Sequence, residues 1–166
     1  MLENMWRTFL MILVIESFFS STVWAFNYKA IESGASYVSV KEYLLARGNN
    51  VIELDENRLT TADNLNTLAT FVFNGDKLCE VLTNYNKKSF KWIVSFIDLK
   101  TRELGSPLRM TPKGENWGDG FTILWQSGQQ TLFYDVGRLD LYNGEYAVVK
   151  STEIDGSICG QTVLMR

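Results

Sequence analysis

Short apolar runs separated by glycine-containing turns are the feature that most restricts how this chain can fold. Asn74-Gly75, Ser127-Gly128 and Asn143-Gly144 each stand between two such runs. Asn and Gly tolerate the positive φ angles of tight hairpin turns, so each dipeptide predicts a pair of antiparallel strands. The predicted strands cover residues 51–54, 68–73, 78–85, 121–125, 131–134, 139–142 and 145–149, with a possible final strand over 157–165.

Two helical patterns interrupt these strands. In the first, Ser39 and Glu42 have the spacing of a capping box, and Val40, Tyr43 and Leu44 repeat at helical spacing before Gly48. In the second, Ser89 can cap a helix that continues through Leu104 and ends at Gly105. The polar segments 55–66 and 84–88 and the Gly-rich segment 112–120 are expected to be irregular.

The order of these elements predicts an α+β fold. Helix, strands, helix, strands is an approximate two-fold plan, although no residue-level repeat supports a duplication. The predicted hairpins favour an antiparallel sheet with one face exposed to solvent. We therefore expect an α+β fold in which the two helices pack on one face of this sheet. Residues 26–166 are long enough for a single small domain with a substantial core.

The first 25 residues have the layout of a secretory signal peptide. Arg7 precedes an apolar run over residues 9–15, and Val23 and Ala25 stand at the −3 and −1 positions of a cleavage site. The apolar run is much shorter than a membrane span of about 20 residues. We expect cleavage after Ala25, no membrane span thereafter, and a protein that is periplasmic or secreted.

Cys79 and Cys159 both follow the predicted leader. In an oxidising compartment an even number of cysteines favours a structural disulfide bond. Two free buried thiols are the main alternative. A metal or redox site is the least favoured reading, because there is no C-x-x-C motif and no histidine.

Composition excludes several function classes. The chain has 16 basic and 19 acidic residues, a formal net charge of −3, and no cluster of Lys and Arg, which argues against nucleic-acid binding. Without histidine, every His-dependent catalytic triad or base is excluded. The sequence that begins at Asp55 starts like a calcium-binding loop, but its twelfth position is Asn66, where such a loop requires a Glu ligand. No cofactor and no metal is therefore predicted.

A Ser-Lys arrangement or a pair of carboxylates is still compatible with the sequence, and Asp119, Asp135 and Asp140 fall within one region of it. Two carboxylates at the right separation can hydrolyse a glycoside, so these residues support an alternative reading as a hydrolase of envelope polymers. The simpler interpretation places them in turns and on the solvent face. Trp117, in the loop that also holds Asp119, is the stronger candidate for partner binding, since Trp is enriched among binding hot spots. Trp117 can instead cover the core.

Ser33-Gly34-Ala35-Ser36-Tyr37 resembles the SGxxY motif of the periplasmic lysozyme inhibitors. The resemblance implies a β-sandwich in which Ser33 and Tyr37 enter the lysozyme cleft. The other interpretation is that Ser36 or Ser39 begins the first helix. A helix at this position does not fit an all-β inhibitor, so the chain is not assigned to that family.

These observations predict a non-enzymatic, exported binding or accessory protein of the bacterial envelope, of the inhibitor, immunity or assembly-factor type. Its partner would be another envelope or secreted protein. The candidate partner-binding residues are Trp117, Asp119, Ser33 and Tyr37.

Overall fold

Alternating apolar and polar residues form ten strands in the described part of the chain. The computed structural model describes residues 25–26, 31–62, 68–115, 119–137 and 146–160. The strands are β1 (Ala25–Phe26), β2 (Ile31–Glu32), β3 (Asn50–Asp55), β4 (Arg58–Ala62), β5 (Leu68–Asn74), β6 (Lys77–Ser89), β7 (Arg109–Pro112), β8 (Gly120–Ser127), β9 (Gln130–Gly137) and β10 (Tyr146–Asp155). The three described helices are α1 (Tyr37–Ala46), α2 (Phe90–Leu104) and α3 (Gly156–Cys159).

Eight of the strands form one antiparallel sheet in the order β3-β4-β5-β6-β10-β9-β8-β7. Helix α1 is followed by β3 to β6, and α2 is followed by β7 to β10, so a helix and four strands occur twice in succession. The last strands of the two units, β6 and β10, pair with each other at the centre. The two-fold plan expected from the sequence is therefore present in the topology. The separate pair β1–β2 is the remaining sheet.

The strand register places the buried apolar side chains of both halves on one face of the sheet, which we call the core face. Opposite one another along a single line lie Leu59, Phe71, Val81, Glu153, Leu132 and Trp125. One core cluster joins Leu59, Phe71 and Val81 to Val40 and Leu44 of α1. A second cluster joins Leu132 and Trp125 to Ile93 of α2.

Helix α1 begins three residues earlier than the predicted capping box requires. Ser36 is its N-cap and accepts a hydrogen bond from the Ser39 backbone N–H at 3.2 Å. The capping box predicted at Ser39 was therefore wrong, because Ser39 already lies in the first helical turn. Helix α2 follows its prediction, with Ser89 accepting from the Trp92 N–H at 3.3 Å and Gly105 at the C-cap.

Several predicted irregular segments are strands. Residues 58–62 form β4, because Leu59 enters the core and the β-branched Thr60 and Thr61 are buried on a central strand. Strand β6 continues through residues 84–88 to Ser89, and part of the predicted loop 112–120 belongs to β7 and β8. Strand β10 extends to Asp155. The predicted strand 139–142 and the Asn143-Gly144 turn lie outside the described residues.

The predicted final strand was wrong at residues 157–159, which belong to the short helix α3. Asp155 caps this helix, and its carboxylate accepts from the Ser157 N–H at 3.0 Å. Cys159 of α3 is joined to Cys79 of β6 by a disulfide bond, with a Cα–Cα distance of 5.2 Å. The predicted bridge is thus confirmed, and it fastens the end of the described chain to the central sheet.

The predicted leader lies outside the described residues except at its last position. Ala25 pairs with Glu32 in the β1–β2 ladder, so the expected cleavage position falls within β1. Among the described segments, no helix has the length and apolarity that crossing a membrane requires.

Candidate functional site

The face of the sheet opposite the core face carries a continuous row of uncharged side chains, which we call the open row. Its members lie directly opposite one another on seven neighbouring strands: Ile52, Thr60, Thr70, Leu82, Thr152, Phe133 and Leu124. Arg109 ends the row on the eighth strand. This arrangement exists because residues at every second position along a strand point to the same face.

Aliphatic side chains on this open face are accessible to solvent. Leu82, on a central strand, has 38% of its surface exposed, and Ile52 and Leu68 have 51% and 46%. Single exposed aliphatic residues are common on protein surfaces. Leu68 and Leu82 lie on neighbouring strands, whereas Thr60 and Thr70 separate Ile52 from Leu82, so the face combines exposed aliphatic groups with hydroxyl groups.

Threonine side chains order the surface between these aliphatic groups. The Thr60 hydroxyl donates to the Ala69 carbonyl at 3.1 Å, and its oxygen lies 3.3 Å from the Thr70 hydroxyl oxygen. Both threonines are β-branched and therefore restricted at χ1. A partner that docks here would meet a surface whose side chains have already lost much of their conformational freedom.

Ion pairs flank the open row. Asp135, next to the row on β9, accepts from the Lys113 ammonium at 3.0 Å and from the Thr122 hydroxyl at 2.5 Å. Arg58, on the other side of the row, binds the Asp55 carboxylate at 2.6 Å. The Arg58 guanidinium and the Asn57 N–H hold the pKa of Asp55 below its ordinary value. The open row is therefore uncharged between charged neighbours, two of which are held in ion pairs, and protein interfaces usually combine an apolar centre with a polar rim.

The carboxylates proposed for hydrolysis occupy different surroundings. Asp135 is half-buried and committed to Lys113 and Thr122, whereas Asp119 is exposed immediately before Gly120. Asp140 lies outside the described residues. No group of three or more metal-ligating side chains occurs within the described ranges.

The backbone at Gly120 fixes where the loop that carries Asp119 enters the sheet. Gly120 has φ +109°, and a Cβ placed there would lie 2.3 Å from the Val136 carbonyl oxygen. Only glycine fits such a close approach. Trp117, the principal residue predicted for partner binding, lies outside the described residues.

Ser33 and Tyr37 are both held by contacts within the protein. The Ser33 hydroxyl donates to Asp155 at 2.5 Å, which connects the turn after β2 to the cap of α3. The Tyr37 hydroxyl donates to Glu53 at 3.0 Å, and its ring centroid lies 5.0 Å from that of Phe73. Lys41 and Tyr37 together lower the pKa of Glu53. Both side chains are half-buried; Tyr37 makes its contacts within the first half of the fold, whereas Ser33 connects that half to the end of β10.

Sequence reasoning missed the open row because one of its strands was interpreted as a loop. Without β4, Ile52 and Thr70 have no common neighbour, and the row is interrupted at Thr60. The signal that could have revealed it is the alternation in Arg58-Leu59-Thr60-Thr61, where one apolar residue and two β-branched residues stand together.

Comparisons with protein-family models, with curated proteins and with solved structures found no match to this chain.

Proposed function

We propose that this chain is an exported, non-enzymatic binding or accessory protein of the bacterial envelope, of the inhibitor, immunity or assembly-factor type. The open row is the observation that carries the proposal. It offers an uncharged, ordered surface that crosses the centre of the sheet, where Leu82 and Thr152 are paired. The partner is another envelope or secreted protein.

The proposal includes export. A leader over residues 1–25 followed by cleavage after Ala25 would deliver the chain to the periplasm or the medium. The Cys79–Cys159 disulfide supports this location, because such bonds persist mainly in oxidising compartments.

We infer that α1 and α2 both cover the core face. Val40 and Leu44 of α1 pack with Leu59, and Ile93 of α2 packs with Trp125. The register places Leu59 and Trp125 on the same face. With both helices there, the opposite face is left for a partner.

The dimensions of the open face suit a stable protein–protein contact. Eight strands spaced about 4.8 Å apart, with three rows of side chains, span about 38 Å by about 20 Å. That corresponds to roughly 750 Å², close to the ~800 Å² that each partner buries in a standard interface. A partner surface that combines aliphatic with hydrogen-bonding groups would match this face, because the two rows beside the open row also contain Glu80, Lys150 and Asp135.

The segment that contains Trp117 and Asp119 precedes β8 in the sequence and is proposed as a second contact region. Ser33 and Tyr37 stay predictions of partner contact, but their bonds to Asp155 and Glu53 favour a structural role.

Affinity purification from the native envelope fraction tests the proposal when the wild-type protein is compared with two charge-matched variants. Leu82→Lys places a cation in the open row, whereas Leu99→Lys places one on α2, where Leu99 is 49% exposed. We expect one stoichiometric partner with the wild type and with Leu99→Lys, and its loss with Leu82→Lys. Equal capture by both variants would contradict docking on the open face. Release of a second copy of the chain would identify self-association instead.

A further inference from the structure

The two edges of the eight-stranded sheet are built differently. Strand β7, at one edge, has four residues, begins with Arg109 and ends with Pro112, which has no N–H to donate. A basic side chain and proline are two of the usual devices that prevent an edge from pairing with another strand. Strand β3, at the other edge, has six residues and contains neither Pro, Lys nor Arg.

Strand β3 also presents aliphatic side chains beside its open backbone. Ile52 lies in the open row and Leu54 at the irregular end of β3; both are about half exposed, and Val51 packs partly against the first core cluster. The register of β3 with β4 is regular from Asn50 to Glu53 and shifts before Asp55. The regular edge therefore consists of four residues, with an irregular end at Leu54.

The charges at this end of β3 define what can pair with it. Glu53, Asp55 and Glu56 follow one another closely in the sequence, and Lys41 and Arg58 pair with the first two. Glu56 has no ion-pair partner among the described residues. It lines a shallow depression of about 650 Å³ together with Asp55, Asn57, Arg58 and Val72. A cation delivered by a partner would be complementary to this site.

We propose that β3 accepts an extended segment of the partner protein as a ninth strand of the sheet. Apolar and polar side chains alternate along this segment. Its aliphatic side chains lie beside Ile52 and Leu54, and one basic side chain lies near Glu56. Backbone hydrogen bonds would supply affinity, and the alternate side chains would supply specificity. This inference rests on the proposed binding function and names the mode of binding. A second copy of the chain is less complementary, because its β3 contains no Lys or Arg that could lie near Glu56.

A short peptide tests this mode without knowledge of the natural partner. The probe is a fluorescent nine-residue peptide of alternating valine and lysine, titrated into the purified oxidised protein. Two matched peptides serve as controls: one has its central valine replaced by proline, and the other has glutamate in place of lysine. We expect each control to bind at least ten-fold more weakly. If the proline peptide binds as tightly as the probe, the interaction is only charge attraction and the proposal is overturned. The proposal is also overturned if the probe does not bind.

Protein variants and hydrogen exchange locate the bound peptide. Ile52→Lys should weaken binding at least ten-fold and Glu56→Gln about three-fold. Met110→Lys, on the opposite edge where Met110 is 47% exposed, should leave binding within two-fold. Amide exchange should slow in β3 and not in β7. Protection in β7, or equal effects of Ile52→Lys and Met110→Lys, would overturn the proposal. If the wild-type protein is a dimer and Ile52→Lys dissociates it, the occupant of the β3 edge is a second copy of the chain and not a segment of a partner.

The two proposals can fail separately. If partner capture depends on Leu82 but no peptide binds at β3, the proposed binding function stands and the proposal of strand addition at β3 is rejected. Peptide binding at β3 without Leu82-dependent capture would show that the edge, and not the open row, is the docking site.

Discussion

Leu82 of β6 lies directly opposite Thr152 of β10 at the centre of the open row. These residues belong to the last strands of the two helix-and-four-strand units, so their pairing joins the halves into one sheet. Each half has its own core cluster, but the open row crosses both without interruption. The surface proposed for docking therefore exists only when the two halves are paired.

Replacing Leu59 by alanine tests whether β4 is a core strand. Leu59 is fully buried between α1 and the sheet, so removing its side chain should lower the free energy of unfolding by about 2–5 kcal/mol. Leu68→Ala, on the neighbouring strand but exposed, should change it by less than about 1 kcal/mol. Urea denaturation monitored by tryptophan fluorescence measures both values. Similar losses for the two variants would contradict the assignment of residues 58–62 to the core sheet.

The sequence predicted those elements whose local pattern agrees with their place in the fold. The hairpin at Asn74-Gly75 and the helix capped by Ser89 follow their patterns closely, because turn chemistry and capping are local properties. Strand β4 was missed because its Arg and Thr residues look polar in isolation, and Thr60 and Thr61 are buried only when β4 pairs with β3 and β5. The final strand was predicted where α3 forms, because apolar residues near Cys159 could not reveal the cap at Asp155.

The candidate site was less predictable than the fold. Alternation predicted that one sheet face would be wet, but the strand order that aligns Ile52, Leu82 and Phe133 depends on the central β6–β10 pairing. Ser33 and Tyr37 were selected from a short motif, and the structure connects them to Asp155 and Glu53. A five-residue pattern cannot distinguish such structural hydrogen bonds from a binding loop.

Gly120→Ala should be strongly destabilising. Its Cβ would lie 2.3 Å from the Val136 carbonyl oxygen, at a backbone φ of +109°. We expect a loss of about 3 kcal/mol or more in unfolding free energy, since both a steric clash and backbone strain are introduced. Gly128→Ala is the matched control, because Gly128 has φ +59° with nothing within 4 Å of the added Cβ. It should cost about 1–2 kcal/mol. Equal costs would show that close approach at Gly120 is unimportant.

Removing the disulfide should reduce stability through the unfolded state. Cys79 and Cys159 are 80 residues apart, and closing a loop of that size stabilises a fold by about 4 kcal/mol in the chain-entropy model. The double variant Cys79→Ala/Cys159→Ala should therefore unfold at a distinctly lower temperature in scanning calorimetry. Wild-type protein under reducing conditions provides an independent comparison. A change below about 1 kcal/mol in both measurements would contradict the predicted contribution of the bridge.

The Asp155 carboxylate should make stability depend on pH in the acidic range. Burial by itself raises the pKa of Asp155, but hydrogen bonds from Ser157, Ser33 and Gln130 outweigh it and lower the pKa below 3.8. A lowered pKa in the folded state stabilises the protein above pH 3.8, and this contribution disappears as the pH falls through the lower folded value.

Ser33→Ala measures the part of this effect that one hydrogen bond supplies. Bonds to charged groups contribute about 1.5–3 kcal/mol, so the variant should lose about that much near pH 7 and less near pH 2. Carbon-detected NMR titration should also show a higher pKa for Asp155 in the variant. Ser106→Ala, at an exposed position, serves as the control. An unchanged Asp155 pKa in Ser33→Ala would contradict the role given to Ser33.

The most direct test of the account is the dissociation constant of the captured partner for the wild type, Leu82→Lys and Leu99→Lys. Isothermal titration calorimetry on proteins of verified equal stability would provide the three values. A buried cation at the centre of an interface should cost at least about 2 kcal/mol, or roughly thirty-fold in affinity. We predict that loss for Leu82→Lys and a change within two-fold for Leu99→Lys. Equal affinities for all three proteins would contradict the claim that the open row is the docking surface.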